Sequence, residues 1–293
     1  MTVLPSTRVL LEHAIDYAGT FPPAALPPGE AVRHYARQRG GAEAWLLGRL
    51  VVSAGNLDEL ASALPDAASH QHELSVILGG DALSQLARVR AFNQQCVDRA
   101  RVVSVEFPPV PAAEIAHLAS RVERPLEAFF ESPIDDDLET RLDVMANAGV
   151  NGKVRTGGIV AAAIPTPLSL ARFLQACAAR RLAFKATAGL HHAVRSCYSL
   201  TYERESATAV MHGFLNVSVA AALAHKGASI DEIAEALSEI SAASFDFHQH
   251  GLVYHDVVSS LEDLALTRRH FFRSFGSCSF REPVEELARL HLV

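Results

Sequence analysis

The feature that most constrains the fold is a regular alternation of short apolar runs with longer amphipathic stretches. Strand, helix and strand succeed one another at short intervals, which predicts parallel strands joined by right-handed crossovers. The helical patterns between the runs include 29–39, 81–100 and 165–181. A first strand at 14–19 competes with a helical periodicity that starts at Thr7. The other candidate strands are 44–52, 73–78, 102–107, 126–131, 151–156, 183–188 and 271–276.

Eight such strands predict an α/β fold, a (β/α)8 barrel of the TIM type. The length of 293 residues accommodates the ~250 residues of such a barrel together with an insertion. An open, doubly wound sheet is the alternative, although no GxGxxG motif follows an early strand. The sequence has no internal repeat and no linker, so we expect one domain over residues 1–293.

The interval 195–269, between the last two strands, is longer than a crossover requires. Its periodicity predicts a helix over 206–227 and another over 229–240, where Ser229 and Glu232 have the spacing of a capping box. We therefore expect a helical insertion between strands 7 and 8 that lies over the C-terminal mouth of the barrel. The apolar segment 217–224 within it suits either a lid or a contact in a homo-oligomer.

Composition excludes several classes of function. The formal net charge is −7 and no basic block occurs, which argues against a nucleic-acid partner. No apolar stretch approaches the ~20 residues that a membrane span requires, and the N-terminus lacks the apolar core of a signal peptide. The 4 cysteines are scattered without metal-type pairing. They predict reduced thiols in a cytoplasmic protein.

Three cations lie near the ends of two neighbouring predicted strands. Lys153 and Arg155 occur in GKVRTGGIV, residues 152–160, and Lys185 occurs in FKATAGLHH, residues 184–192. Alternation along a strand directs Lys153 and Arg155 to the same face. Because an unpaired charge is costly within a barrel, we expect these cations at its open mouth. They predict a site for a small anionic carbonyl compound, phosphorylated or carboxylated.

The pair KVRTGG and FKATAGL resembles the sixth- and seventh-strand signatures of class I aldolases of the deoxyribose-phosphate aldolase type. The resemblance covers about forty residues and implies a barrel with lysine chemistry. Lys185 falls on the second family lysine, which tunes the site electrostatically. The first family lysine forms the Schiff base, and this chain has Arg155 at that position. Arginine does not form such imines, whereas Lys153, on the same face and deeper, can substitute for it.

These residues predict an aldolase-like lyase without a cofactor. Lys153 or Lys185 supplies an amine or a base, Arg155 binds the anion, and Glu106 or Glu131 shuttles protons. Two alternatives stay open. Asp81, Glu106 and Glu131 follow three consecutive strands and predict a site for Mg²⁺ or another divalent metal in an isomerase or dehydratase, although Asp81 is equally suited to cap a helix. In a non-catalytic barrel that binds a metabolite or a partner, the same charges would form fixed ion pairs.

Glycines, histidines and a serine after the late strands complete the candidate site. Glycine turns next to cations are typical of phosphate sites in such barrels. Histidines directly after the seventh strand are candidates for acid–base chemistry or anion contact. The predicted substrate-binding residues, besides Arg155, are Gly157, Gly158, Gly189, His191, His192, His212 and Ser277.

Overall fold

Eight parallel strands close into a barrel, as the alternation of apolar runs predicted. The computed structural model describes residues 3–64 and 71–293. The barrel strands are β1 Ile15–Tyr17, β2 Leu47–Ser53, β3 His72–Ile77, β4 Ala100–Phe107, β5 Glu127–Glu131, β6 Asn151–Arg155, β7 Phe184–Thr187 and β13 Phe272–Ser277. The order around the barrel is β1-β13-β7-β6-β5-β4-β3-β2, and β2 pairs with β1 to complete the circle.

Helices follow the strands and form the outer layer. Those outside the interval 195–269 are α1 Pro5–Leu11, α2 Pro28–Arg39, α3 Leu57–Ala63, α4 Ala82–Gln95, α5 Ala112–Ala119, α6 Leu138–Ala148, α7 Pro167–Ala179 and α11 Arg281–Arg289. The start of α7 agrees with its sequence, since Thr166 accepts a hydrogen bond from the Ser169 amide and Pro167 is the first helical residue. None of the described helices is long and apolar enough to cross a membrane.

Parallel strands are covered on both faces, which explains their continuous apolar runs. On β4 and β5 the outward side chains Phe107 and Phe130 stack beneath the helices, with ring centroids 4.2 Å apart. The alternate positions, Glu106 and Glu131, face the barrel interior. Strand register aligns Lys153 of β6 with Lys185 of β7. The same alternation that builds the core therefore directs polar side chains into the centre of the barrel.

The interval 195–269 contains two small antiparallel sheets in addition to helices. Its helices are α8 Phe214–His225, α9 Ile230–Ser238 and α10 Leu261–His270, and α9 begins with the predicted capping box of Ser229 and Glu232. Its strands are β8 Ser196–Ser199, β9 Thr208–Met211, β10 Phe245–Phe247, β11 Gly251–Tyr254 and β12 Val257–Ser260.

The helix predicted over 206–227 is wrong in its first part. Residues Thr208–Met211 form β9, which pairs with β8 in a hairpin, and the helix begins only at Phe214. A short apolar run does not distinguish strand from helix by periodicity alone. At Gly213 a Cβ atom would lie 2.4 Å from the Ala193 carbonyl oxygen, so the chain turns there at close backbone contact before the helix starts.

The parts of the insertion lie in different places. The hairpin side contributes Leu200 and Met211 to the wall of the cavity at the C-terminal mouth. Helix α8 is buried from Phe214 to Ala224 and packs against α7, α9 and β13, so it belongs to the helical layer of the barrel. The sheet β10-β11-β12 contacts α1 and α10.

Candidate functional site

A cavity of about 420 Å³ opens at the C-terminal mouth of the barrel. Its floor is polar and contains Glu106, Lys153 and Lys185, which stand on β4, β6 and β7. Its upper wall is largely apolar and includes Phe21, Pro22, Pro23, Pro108, Pro109, Ile159, Leu200 and Met211. The volume suits a small metabolite. The structure thus brings the predicted lysines together with Glu106 at the bottom of one pocket.

Lys185 is held between two carboxylates. Its Nζ donates to Asp16 Oδ2 and to Glu106 Oε1, both at 2.6 Å, and the residue is only 1% exposed. Burial alone would lower the pKa of Lys185, but the attraction of Asp16 and Glu106 outweighs it and raises this pKa. Lys185 is therefore a fixed cation at the floor of the cavity.

Glu106 is the centre of the buried network. One carboxylate oxygen accepts from Lys185 and from the Ser75 hydroxyl at 2.7 Å, and the other lies 3.3 Å from Lys153 Nζ. Ser75 in turn accepts from the Ser104 hydroxyl. Burial would raise the pKa of Glu106, but Lys185 and then Lys153 outweigh it and lower this pKa to about 2. Glu106 is therefore an anion that binds both lysines.

Lys153 lies nearer to the opening. Its Nζ is 3.1 Å from Glu131 and 3.3 Å from Glu106, contacts that are longer than those of Lys185. Glu131 also lies 3.4 Å from the Nε of Arg155, whose side chain is 52% exposed at the rim. Lys153 thus lines the cavity between the buried network and the mouth, with a carboxylate on each side.

Asp16 is the principal residue that the sequence analysis missed. It is 1% exposed and accepts from Lys185, from the Ser274 hydroxyl at 2.7 Å and from the Arg49 amide at 2.9 Å. A lone aspartate within the apolar run AIDYAG was the available signal. It was obscured because β1 has only 3 residues and helical periodicity competes for the same segment.

The distribution of lysine is unusual across the whole chain. Only three of the 26 basic Lys and Arg residues are lysines, namely Lys153, Lys185 and Lys226. Two of these three contact the same buried carboxylate, while Lys226 lies on the surface beside Asp263. Arginine serves buried ion pairs as well as lysine does, but it cannot act as an amine nucleophile. The floor of the cavity therefore carries two amine-bearing side chains, a group that arginine cannot supply.

No known family model matches the chain, and no curated protein is significantly similar to it. The residues of the cavity are therefore the basis for inferring a function.

His191 lines the cavity, and its ring forms a hydrogen bond with the buried residue Ser277. The Ser277 hydroxyl donates to the Ser279 carbonyl, so His191 Nδ1 is the donor in its 2.9 Å contact with Ser277 Oγ. Burial lowers the pKa of His191 to about 4, with a smaller contribution from His192. The ring is therefore neutral and presents an unprotonated Nε2.

Cys278 also lines the cavity. Its Sγ lies 3.7 Å from His191 Nδ1 and 3.5 Å from the Tyr202 hydroxyl. Burial raises the pKa of the Cys278 thiol. Because both His191 and the thiol are neutral, they do not form the thiolate–imidazolium pair of a cysteine nucleophile.

Two other predicted histidines contact protein groups outside the cavity wall. His192 Nδ1 lies 2.7 Å from Glu286 of α11, and its ring stacks on Tyr198. His212 is fully buried, and its Nε2 lies 2.8 Å from the Pro165 carbonyl. Burial lowers the pKa of His212 to about 4.

The glycine turns after β6 and β7 pack against each other. A Cβ atom on Gly189 would lie 2.9 Å from the Gly157 Cα, and Gly189 has a φ of +78°. Gly158 and Gly189 line the cavity. The close approach of the two backbones leaves no space for a side chain, so it requires glycine at both positions. Packing therefore accounts for Gly157 and Gly189 as well as a contact with a ligand would.

The three carboxylates of the alternative metal site do not converge. Asp81 is exposed and caps α4 by accepting from the Ser84 amide at 3.2 Å. Glu106 and Glu131 are bound by Lys153 instead. Across residues 3–64 and 71–293, no group of three or more His, Cys, Asp or Glu side chains is arranged to hold a metal ion.

Proposed function

We propose that the protein is an aldolase-like lyase in which Lys153 forms a Schiff base with a small carbonyl compound. The observation that carries this proposal is the placement of two of the chain's three lysines side by side at the floor of one cavity. A barrel interior that needed only positive charge could use arginine, as the rest of this chain does.

Lys153 is the better candidate for the nucleophile. Lys185 is held by two contacts of 2.6 Å and has a raised pKa, so its lone pair is not available. Lys153 has longer contacts and lies nearer the mouth. A lysine nucleophile must first lose a proton, and Glu131 at 3.1 Å can accept it.

The steps follow from these positions. The neutral Lys153 amine attacks the carbonyl carbon to give a carbinolamine. Glu131 returns the proton that it took from Lys153 to the hydroxyl group of this adduct, so water leaves, a protonated imine forms and Glu131 is a carboxylate again. The imine withdraws the electron pair of the adjacent carbon–carbon bond as that bond breaks, while a carboxylate removes the proton of the β-hydroxyl group. Glu131 occupies the position for this base. It then gives the proton to the carbon of the enamine left on Lys153, and water hydrolyses the resulting imine and releases the second product. Glu106, held anionic by Lys185, lies beside Lys153 and stabilises the positive charge of the imine.

The walls of the cavity suggest the shape of the substrate. The exposed guanidinium of Arg155 at the rim suits a carboxylate or phosphate group that is separated from the reacting carbonyl. The apolar residues between rim and floor suit a short hydrocarbon segment. These features support a small anionic aldehyde or keto acid as the carbonyl compound.

A second candidate is a non-catalytic barrel that binds a metabolite. It is favoured by the pairing of the network, in which Lys153, Lys185 and Arg155 match Asp16, Glu106 and Glu131 in number. Fixed ion pairs of this kind need no chemistry to explain them.

Lysine-to-arginine variants separate the two functions. Carbon–carbon cleavage and condensation would be assayed over a panel of small hydroxy aldehydes and hydroxy keto acids. Lys153→Arg keeps the charge and removes the amine, so we expect at least a ~1,000-fold loss of kcat/KM. Lys226→Arg is the matched control, because it makes the same change on the surface.

Circular dichroism and thermal unfolding would establish that the Lys153→Arg protein is folded. A folded Lys153→Arg protein that keeps full turnover would contradict the assignment of the nucleophile. A wild-type protein that binds members of the panel without converting them would support the non-catalytic barrel.

A further inference from the structure

A second cavity, of about 510 Å³, lies at the opposite, N-terminal end of the barrel. It is bounded by the starts of β1, β2, β3 and β13 and by the end of α10. It shares Asp16 with the buried network but is separate from the cavity of the C-terminal mouth. Five arginines line it, namely Arg39, Arg49, Arg268, Arg269 and Arg273.

The arginines outnumber the carboxylates around this cavity. Arg49 and Arg273 share a single partner, Glu127. The acidic groups in the lining are Asp16, which Lys185 already occupies, and Glu73. Among the residues that the structure describes, Arg39, Arg268 and Arg269 have no carboxylate within ion-pair distance. The cavity therefore carries an excess of positive charge, although the whole chain has a net charge of −7.

Some of the guanidinium N–H donors of Arg268 form hydrogen bonds with backbone carbonyls, and one of them has no acceptor. Its guanidinium donates to the Phe272 carbonyl and, at 3.1 Å, to the Glu12 carbonyl. Its Nε is buried and has no hydrogen-bond partner among the described atoms. Burial and the neighbouring Arg273 lower the pKa of Arg268 to about 10. An anion in the cavity would relieve the repulsion between these guanidinium groups.

We propose that this N-terminal cavity binds a small anion with two or more negative charges, either a phosphate ester or a polycarboxylate. Guanidinium groups match both kinds of anion by paired N–H donors. The ligand reaches the cavity from solvent, because the side chain of Arg269 is exposed and that of Arg39 is partly exposed. The proposal is independent of the reaction at the C-terminal mouth.

Calorimetric titration of the full chain with pyrophosphate and, separately, with citrate tests this site. The ionic strength is held constant with sodium chloride. We expect saturable binding of one anion per chain. Arg269→Gln should weaken it about tenfold, because a charge-assisted hydrogen bond is lost. Binding of pyrophosphate alone would assign a phosphate ester, and binding of citrate alone a polycarboxylate.

Two variants locate the binding. Arg204→Gln removes an exposed arginine that lines neither cavity, and Arg155→Gln removes the exposed arginine of the C-terminal mouth. Neither should change the Kd by more than about twofold. The proposal is overturned if neither anion binds at millimolar concentration. It is also overturned if Arg155→Gln weakens binding while Arg269→Gln does not, or if Arg204→Gln weakens it equally.

Discussion

At the scale of single residues, carboxylates hold the two lysines of the site in position. Asp16 and Glu106 hold Lys185 from two sides, and Glu106 and Glu131 do the same for Lys153. Each charge is buried together with its counterions, which is the arrangement in which removal of one partner is costly.

Replacement of Asp16 by asparagine should destabilise the fold. Lys185 would keep Glu106 but lose a carboxylate at 2.6 Å. We expect a decrease of about 3 kcal/mol in the free energy of unfolding, measured by urea denaturation at neutral pH. Asp58→Asn is the control, because the side chain of Asp58 is 87% exposed in its pair with Arg88. That variant should lose less than about 1 kcal/mol, and equal losses would contradict the account of Asp16.

The residue scale is also where sequence was least informative. Lys153, Lys185, Glu106 and Glu131 could be predicted because each is a charge at the end of an apolar run. Asp16 could not, since a strand of 3 residues gives no period to recognise. The partner of His192 is Glu286 of α11, 94 residues later. A local sequence pattern does not predict a contact between residues so far apart in the chain.

At the scale of elements, the loops after β6 and β7 are joined by close backbone contact. The Cα atoms of Gly157 and Gly189 face each other, so that neither turn has space for a side chain. The turns carry Gly158, Ala188 and His191 along the cavity wall. Their contact therefore holds the two loops together directly after the lysine-bearing strands.

Substitution of Gly189 by alanine should disturb this contact. The new Cβ would lie 2.9 Å from the Gly157 Cα, and the φ of +78° is unfavourable for alanine. We expect a loss of about 3 kcal/mol in the free energy of unfolding. Gly227→Ala provides the control, because Gly227 has a φ of +87° and no atom lies within 4 Å of the position that its Cβ would take. It should lose only about 1 kcal/mol, and a similar loss in both variants would mean that the contact has no energetic effect.

Secondary-structure elements were predicted well where they are buried and poorly where they lie at the surface. Most of the barrel strands lie in largely apolar runs because both faces are covered, and the three-residue β1 is the exception. The hairpin of β8 and β9 lies at the surface, with most of its residues exposed or half-buried. Its run of small and apolar residues fits a helix and a strand equally, and only the pairing across the hairpin decides between them.

At the scale of the whole molecule, buried titratable groups link stability to pH. Burial lowers the pKa of His191 and of His212 to about 4. In the unfolded chain these histidines bind protons from about pH 6.5. The unfolded state therefore binds more protons between these values, and stability decreases as the pH falls through this range.

Glu106 extends the loss to lower pH. Its pKa is about 2 in the folded protein, where Lys185 and Lys153 outweigh the effect of burial. The resulting stabilisation, on the order of 3 kcal/mol, is complete above the pKa of an unfolded glutamate and is lost as the pH falls from about 4.5 towards 2.

Urea denaturation at a series of pH values should consequently show that the free energy of unfolding decreases in two stages as the pH is lowered. Glu106→Gln should flatten the stage below about pH 4.5 and leave the stage above it unchanged. This variant should also be less stable at neutral pH, since both lysines lose their shared carboxylate. An unchanged slope below pH 4.5 would contradict the low pKa of Glu106.

The most direct test of the central claim is to locate the lysine that traps a carbonyl compound. The protein would be treated with borohydride in the presence of small aldehydes and keto acids, digested, and mapped by mass spectrometry. Three lysines make the map simple, and surface Lys226 reports non-specific reaction. We predict a reduced adduct on Lys153 that a competing substrate suppresses and that Lys153→Arg abolishes. Modification of Lys226 alone, or of Lys153 and Lys226 to the same extent, would contradict a Schiff base at Lys153.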